Sequence, residues 1–105
     1  GGDCVAACNL GYLYETGSGV AQSWADAVKW YQQAVEENYP RAQYNLAWCY
    51  EHGKGVPRDL RRARELYQAA AQQEYEGARE AAARLEKSGG RGGFLRGFLD
   101  GLHGQ

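Results

Sequence analysis

The chain has no methionine, two prolines and three cysteines among its 105 residues, and no run of about 20 apolar residues. Each shortage excludes something. Without a long apolar run, no segment reads as a membrane-crossing helix. Cys4, Cys8 and Cys49 are odd in number and contain no C-x-x-C pair, so neither a disulfide framework nor a zinc site is written in their spacing. No cofactor motif stands out. With no methionine, residue 1 is not a translation start, so the chain reads as a processed product or an excised fragment and its compartment stays open. Charge of neither sign dominates, with 12 basic residues against 13 acidic ones. The basic footprint of a nucleic-acid binder is missing, which argues against nucleic acid as a partner.

What the chain does have is glycine and aromatic residues, and they recur. Gly17-Ser18-Gly19-Val20 returns 36 residues later as Gly53-Lys54-Gly55-Val56. Around these turns Leu10 aligns with Leu46, Tyr14 with Tyr50, Glu15 with Glu51, Ala27 with Ala63, Tyr31 with Tyr67, and Ala34 with Ala70. A period of this size with two helical patterns per unit marks a helical solenoid, in which each unit buries its apolar face by stacking on the next. Most of the tyrosines and tryptophans sit at repeat positions, so they are packing residues first.

Each unit reads as an A helix, a glycine turn and a B helix. Ala6, Leu10, Leu13 and Tyr14 give helical spacing from Val5 to about Glu15, with Asp3 a candidate N-cap. Gly17 and Gly19 supply the positive φ that stops this helix and reverses the chain. Ser23 caps the next helix, which runs to about Glu37 and gathers Trp24, Ala27, Trp30, Tyr31, Ala34 and Val35 on one side. Asn38 suits a left-handed C-cap and Pro40 the first turn of the following helix. That helix reaches His52, and after the second turn Asp59 aligns with Ser23 as a cap for a helix ending near Gln73. A third unit starts with Ala78, Ala82 and Leu85, then dissolves into Ser88-Gly89-Gly90-Arg91-Gly92-Gly93. It reads as a lone closing helix whose Arg79, Glu80, Arg84, Glu86 and Lys87 form the polar outer face that a solenoid end needs. The expected fold is therefore all-α: an α-solenoid of two complete helix-turn-helix repeats, a closing helix and a short amphipathic C-terminal tail. Residues 1–5 are an N-terminal extension, 6–41 and 42–77 the two repeats, 78–88 the closing helix, and 89–105 the glycine-rich linker and tail.

This pattern resembles the Sel-one-like repeat (SLR), a relative of the tetratricopeptide repeat. Repeat one carries it as Ala6, Leu10, Gly11, Tyr14, Gly17, Gly19, Val20, Ala27, Trp30, Tyr31 and Ala34. Repeat two carries it as Ala42, Leu46, Tyr50, Gly53, Gly55, Val56, Asp59, Ala63, Tyr67, Ala70 and Ala71. Ala47 stands in place of the glycine seen at Gly11 and Leu66 in place of Trp30, while Asn38 and Glu74 occupy the usual glycine position after helix B. The resemblance implies an adaptor that brings other proteins together, as family members do in bacterial signalling and secretion and in eukaryotic quality control.

At about 100° per residue, Ala42, Leu46, Cys49, Tyr50 and Gly53 fall in one arc of the second A helix, which is the expected core. Arg41, Tyr44, Asn45, Trp48 and His52 fall in another. The repeat-one counterparts of that second arc are Val5, Cys8, Asn9, Tyr12 and Thr16, and its third-unit counterparts include Glu80, Ala81 and Arg84. With A helices expected on the concave side of the stack, Asn9, Tyr12, Arg41, Tyr44, Asn45, Trp48 and His52 form a candidate peptide-binding stripe. Asn recurs at one stripe position, and an amide that both donates and accepts can pair with an extended peptide backbone. The competing reading packs Tyr12, Tyr44 and Trp48 between adjacent helices. His52 reads most simply as a residue at a helix C-terminus, where the dipole favours a cation, and the residue spacing offers it no catalytic partner. Cys49 reads as a small buried hydrophobe, and a Cys8–Cys49 bridge is conceivable but not inferable from spacing.

The tail has a four-residue rhythm. As a helix it gathers Phe94, Leu95, Phe98, Leu99 and Leu102 in one arc, with Arg96, Asp100 and His103 opposite. Its glycines cost about 1 kcal/mol each relative to alanine, so its apolar face needs a receiving surface. The choices are the chain's own last helix, a neighbouring molecule or partner, and a membrane surface, the last disfavoured by the weak basic charge. Paired tails would close a two-fold dimer. The expected function is that of a non-catalytic protein–protein interaction scaffold, not an enzyme, binding a protein or peptide on its A helices. The alternative is a regulatory subunit whose tail docks on a membrane surface or an enzyme partner.

Overall fold

The computed structural model describes residues 3–89. Among these it contains five helices and no strand: α1 (Asp3–Thr16), α2 (Trp24–Val35), α3 (Pro40–His52), α4 (Leu60–Gln72) and α5 (Ala78–Gly89). Each helix packs chiefly on the next, so α1 and α2 form one hairpin, α3 and α4 a second, and α5 closes the stack against α4. The tail positions Phe94, Leu95, Phe98, Leu99 and Leu102 lie outside the described residues.

The helix boundaries follow local chemistry. Ser23 and Asp59 hold the same place in their repeats with extended backbone, and each accepts a hydrogen bond from the amide three residues on, Asp26 and Arg62. Pro40 opens α3, where no amide hydrogen is required. Asp3, a candidate cap by sequence, is instead the first residue of α1. Gly53 ends α3 at φ 67°, a left-handed conformation in which its amide reaches back to the Cys49 carbonyl. Each glycine turn is then closed by an amide-to-carbonyl bond of 2.9 Å, Ser23 to Tyr14 and Asp59 to Tyr50. After the B helices Asn38 and Glu74 both take φ 61°, the conformation the usual glycine would adopt without strain.

The core is built mainly of alanine. Ala27 and Ala34 of α2, Ala42 and Ala47 of α3, Ala63 and Ala70 of α4 and Ala78 of α5 are all fully inaccessible, as are Tyr31, Cys8 and Cys49. Small side chains let helix axes approach closely, and the rings of Tyr31 and Tyr67 fill what remains. The buried arc of α3 is wider than its periodicity predicts and includes Gln43, Ala47 and Glu51 besides Ala42, Leu46 and Cys49. The three cysteines are free thiols. Burial raises the Cys8 thiol pKa and pushes that of Cys49 up to about 12.

Candidate functional site

The A helices carry a polar and aromatic surface that is tied together across the repeats. Arg41 of α3 donates from Nη1 to Asn9 Oδ1 of α1 at 3.3 Å, and its guanidinium carbon lies 5.7 Å from the centroid of the Tyr12 ring. Tyr12 is 45% exposed, so this pairing sits at the surface. Two expected members of the stripe do not belong to it. Cys8 and Ala81 are buried as members of the core cluster.

Tyr44 and Trp48 have a double character, since both are partly buried against the core while one edge of each reaches the surface cleft described below. Trp48 stacks on Trp24 of α2 with ring centroids 5.5 Å apart and planes at 20°. The His52 ring lies 4.2 Å from that of Trp48, tilted by 44°. Tyr44 meets Tyr67 edge-on at 5.1 Å and Tyr75 at 5.3 Å. His52 ends α3 as expected, but it also has a carboxylate close by that spacing did not suggest, with its Nε2 3.8 Å from Glu51 Oε1.

Two acids complete the site. Tyr31 donates its phenol hydrogen to Glu15 Oε1 at 2.6 Å, and Tyr67 makes the same bond to Glu51 Oε1 at 2.8 Å. Burial and these bonds together raise both phenol pKa values. Arg84 of α5 forks onto Glu51, with Nη1 on Oε2 and Nη2 3.4 Å from Oε1. Burial alone would raise the Glu51 pKa, but the bonds from Arg84 and Tyr67 outweigh it and hold this carboxyl below the usual range. Both Tyr–Glu pairs span 16 residues, and their recurrence one period apart was the sequence signal for them.

Between α1 and α3 a small cleft of about 120 Å³ is lined by Glu15, Tyr44, Asn45 and Trp48. A wider hollow of about 530 Å³ lies between α4 and α5, lined by Ala71, Ala82 and Ala83 with Gln68, Gln72, Arg79 and Glu86. Among the described residues no group of three His, Cys, Asp or Glu side chains is placed to hold a metal ion, and no helix is long and apolar enough to cross a membrane.

Stacked helical hairpins, each reversing through a left-handed glycine turn and each holding a tyrosine–acid pair, define a helical repeat scaffold. The Sel1 repeat model matches residues 4–39 and 40–75, and the chain belongs to the Sel1 repeat family. Proteins of this family are generally scaffolds for protein–protein interaction. The crystal structure of a Sel1 repeat protein from Oxalobacter formigenes is similar, with a TM-score of 0.79 at 33% identity over 83% of this chain and 36% of that one. So is c5321, a protective antigen present in uropathogenic Escherichia coli strains that displays an SLR fold, with a TM-score of 0.79 at 32% identity over 82% of this chain and 18% of that one. The chain thus spans about a third of the first of these proteins and under a fifth of the second. No curated protein sequence matches it.

Proposed function

We propose that this chain is a non-catalytic recognition module that binds an extended peptide or protein segment along the A-helix stripe of Asn9, Tyr12, Arg41, Tyr44, Asn45, Trp48 and His52. The observation that carries the reading is the Arg41 bridge to Asn9 and Tyr12, which joins the stripes of α1 and α3 into one continuous surface. Arginine and aromatic side chains dominate binding energy at interfaces, and here they stand beside two asparagine amides with the period of the repeat. A helices line the inner side of stacks of this kind, where a partner segment meets several units at once.

The test is selection of binding peptides from a displayed random library, followed by mapping of amide shifts in the full chain. Selected peptides should perturb Asn9, Tyr12, Asn45 and Trp48, and the double variant Arg41→Ala, Asn45→Ala should bind them at least about tenfold more weakly, the effect of losing one or two interfacial hydrogen bonds. Shifts confined to the outer faces of α2 and α4 would overturn the reading.

A further inference from the structure

The two repeats differ at one place where their backbones agree. In repeat two, Glu51 is held by Tyr67 of its own hairpin and by Arg84 of the unit that follows. In repeat one, Glu15 takes the equivalent bond from Tyr31, but the residue one period before Arg84 is Trp48, which carries no cation. Among the described residues, Glu15 Oε2 receives no donor side chain and the Asn45 amide makes no side-chain hydrogen bond. The cleft between Glu15, Tyr44, Asn45 and Trp48 is lined by the repeat-one equivalents of both Glu51 and Arg84, namely Glu15 and Trp48.

We propose that this cleft is a receptor for the guanidinium of an arginine side chain carried by a peptide partner. Glu15 is the counter-ion, and its free oxygen together with the Asn45 amide oxygen offers two acceptors to a planar fork of N–H donors. Tyr44 and Trp48 wall the pair and thin the water around it, which strengthens a charge-assisted bond. Arg84 on Glu51 is an internal template, since it shows that this acid, at this place between successive hairpins, takes an arginine. Size agrees, because about 120 Å³ suits one side chain and falls well below the roughly 300 Å³ of the smallest pockets for whole ligands. The identity of the source as a peptide rests on the function proposed above, whereas the guanidinium site itself does not.

The experiment titrates N-acetyl-arginine amide into the isotopically labelled full chain, with the neutral isostere N-acetyl-citrulline amide in parallel. Arg84→Ala calibrates it, because emptying the repeat-two position opens a site for the same probe beside Glu51. The expected result is saturable shifts of the Asn45 side-chain amide and the Trp48 indole. Both citrulline and the variant Glu15→Gln should weaken binding at least about tenfold. Glutamine still accepts from Tyr31, so Glu15→Gln keeps the hairpin folded. Silence at Asn45 and Trp48 while Arg84→Ala responds beside Glu51 overturns the site. Silence in both proteins overturns it too, because the template would then not describe a guanidinium receptor. Enrichment of arginine at one position of the selected peptides, lost with Glu15→Gln, supports a peptide source. Stripe-binding peptides without that enrichment overturn the source and leave the peptide-binding surface standing. Tighter probe binding after Arg91→Ala with Arg96→Ala would assign the cleft to the chain's own C-terminal segment and likewise overturn a partner source. Failure to select any peptide counts against the peptide-binding surface, while the probe titration still decides the cleft.

Discussion

Gly55 packs so closely on Trp24 that a Cβ built on it would lie 2.5 Å from the Trp24 carbonyl oxygen. The equivalent Gly19 has a nearly identical φ, 81° against 78°, but nothing stands within 4 Å of its Cβ position. One glycine is therefore needed for its backbone conformation alone, and the other also because repeat two presses its turn onto the start of α2. Gly55→Ala is expected to cost about 1 to 3 kcal/mol more than Gly19→Ala, the range of overpacking penalties. Urea denaturation of the two variants measures the difference, and equal costs would show that the turn does not sit against α2.

Trp48→Ala separates packing from recognition. Full burial would cost about 3 to 5 kcal/mol on truncation. Trp48 is only partly buried, with Trp24 and His52 as ring neighbours, so a loss of about 1 to 2 kcal/mol is expected. The Trp24 stack is the reason the figure exceeds that of a wholly exposed stripe residue. Thermal melts of Trp48→Ala and Trp24→Ala should move together, because each removes one half of the same stack.

The pH dependence of stability should carry a signature of Glu51. Its folded pKa lies below the ordinary 4.5. The unfolded chain therefore takes up this proton first as acid is added, and the stability the group contributes is complete above about pH 4.5 and lost as pH falls through the folded value. Arg84→Ala should cost about 1 to 2 kcal/mol at neutral pH, discounted because the arginine side chain is 54% exposed. That cost should shrink in acid. Melting wild type, Arg84→Ala and Glu51→Gln at pH 7 and pH 3 tests it: a gap that persists at pH 3 would mean the arginine acts through packing.

Thiol reactivity follows burial. Cys8 and Cys49 are inaccessible and burial raises both pKa values, while Cys4 is partly exposed. An aromatic disulfide reagent should label one thiol rapidly in the native protein and all three in denaturant. Rapid labelling of Cys49 would show that α3 opens on its own.

The parts that were legible in the residues are those decided within a turn or a cap. Ser23, Asp59, Pro40 and the glycine turns act on neighbours a few residues away, so their spacing carries their structure. Gln43 and Glu51 were not legible as buried residues. Their partners come from distant segments: Gln73 donates to Gln43 across 30 residues and Arg84 to Glu51 across 33. An arc drawn at helical period also assumes one buried face. Helix α3 lies inside the stack with neighbours on more than one side, which is why Ala47 is buried although it lies off the predicted arc. Glu15 and Glu51 were visible as repeated letters, but only the fold brings a tyrosine to each.

The two seams of the stack are fastened differently, and this matters under load. Between the first and second hairpins Arg41 bonds Asn9, Gln43 bonds the Asn38 side chain and Gln73 bonds the Asn38 carbonyl, all neutral acceptors, whereas between the second hairpin and α5 an arginine forks onto a buried acid. A stretching force applied at the two ends passes through both seams in series, and the weaker one yields first. Seams fastened by different chemistry should give way one after the other, so a molecule tethering two partners through this chain would lengthen in steps and not all at once.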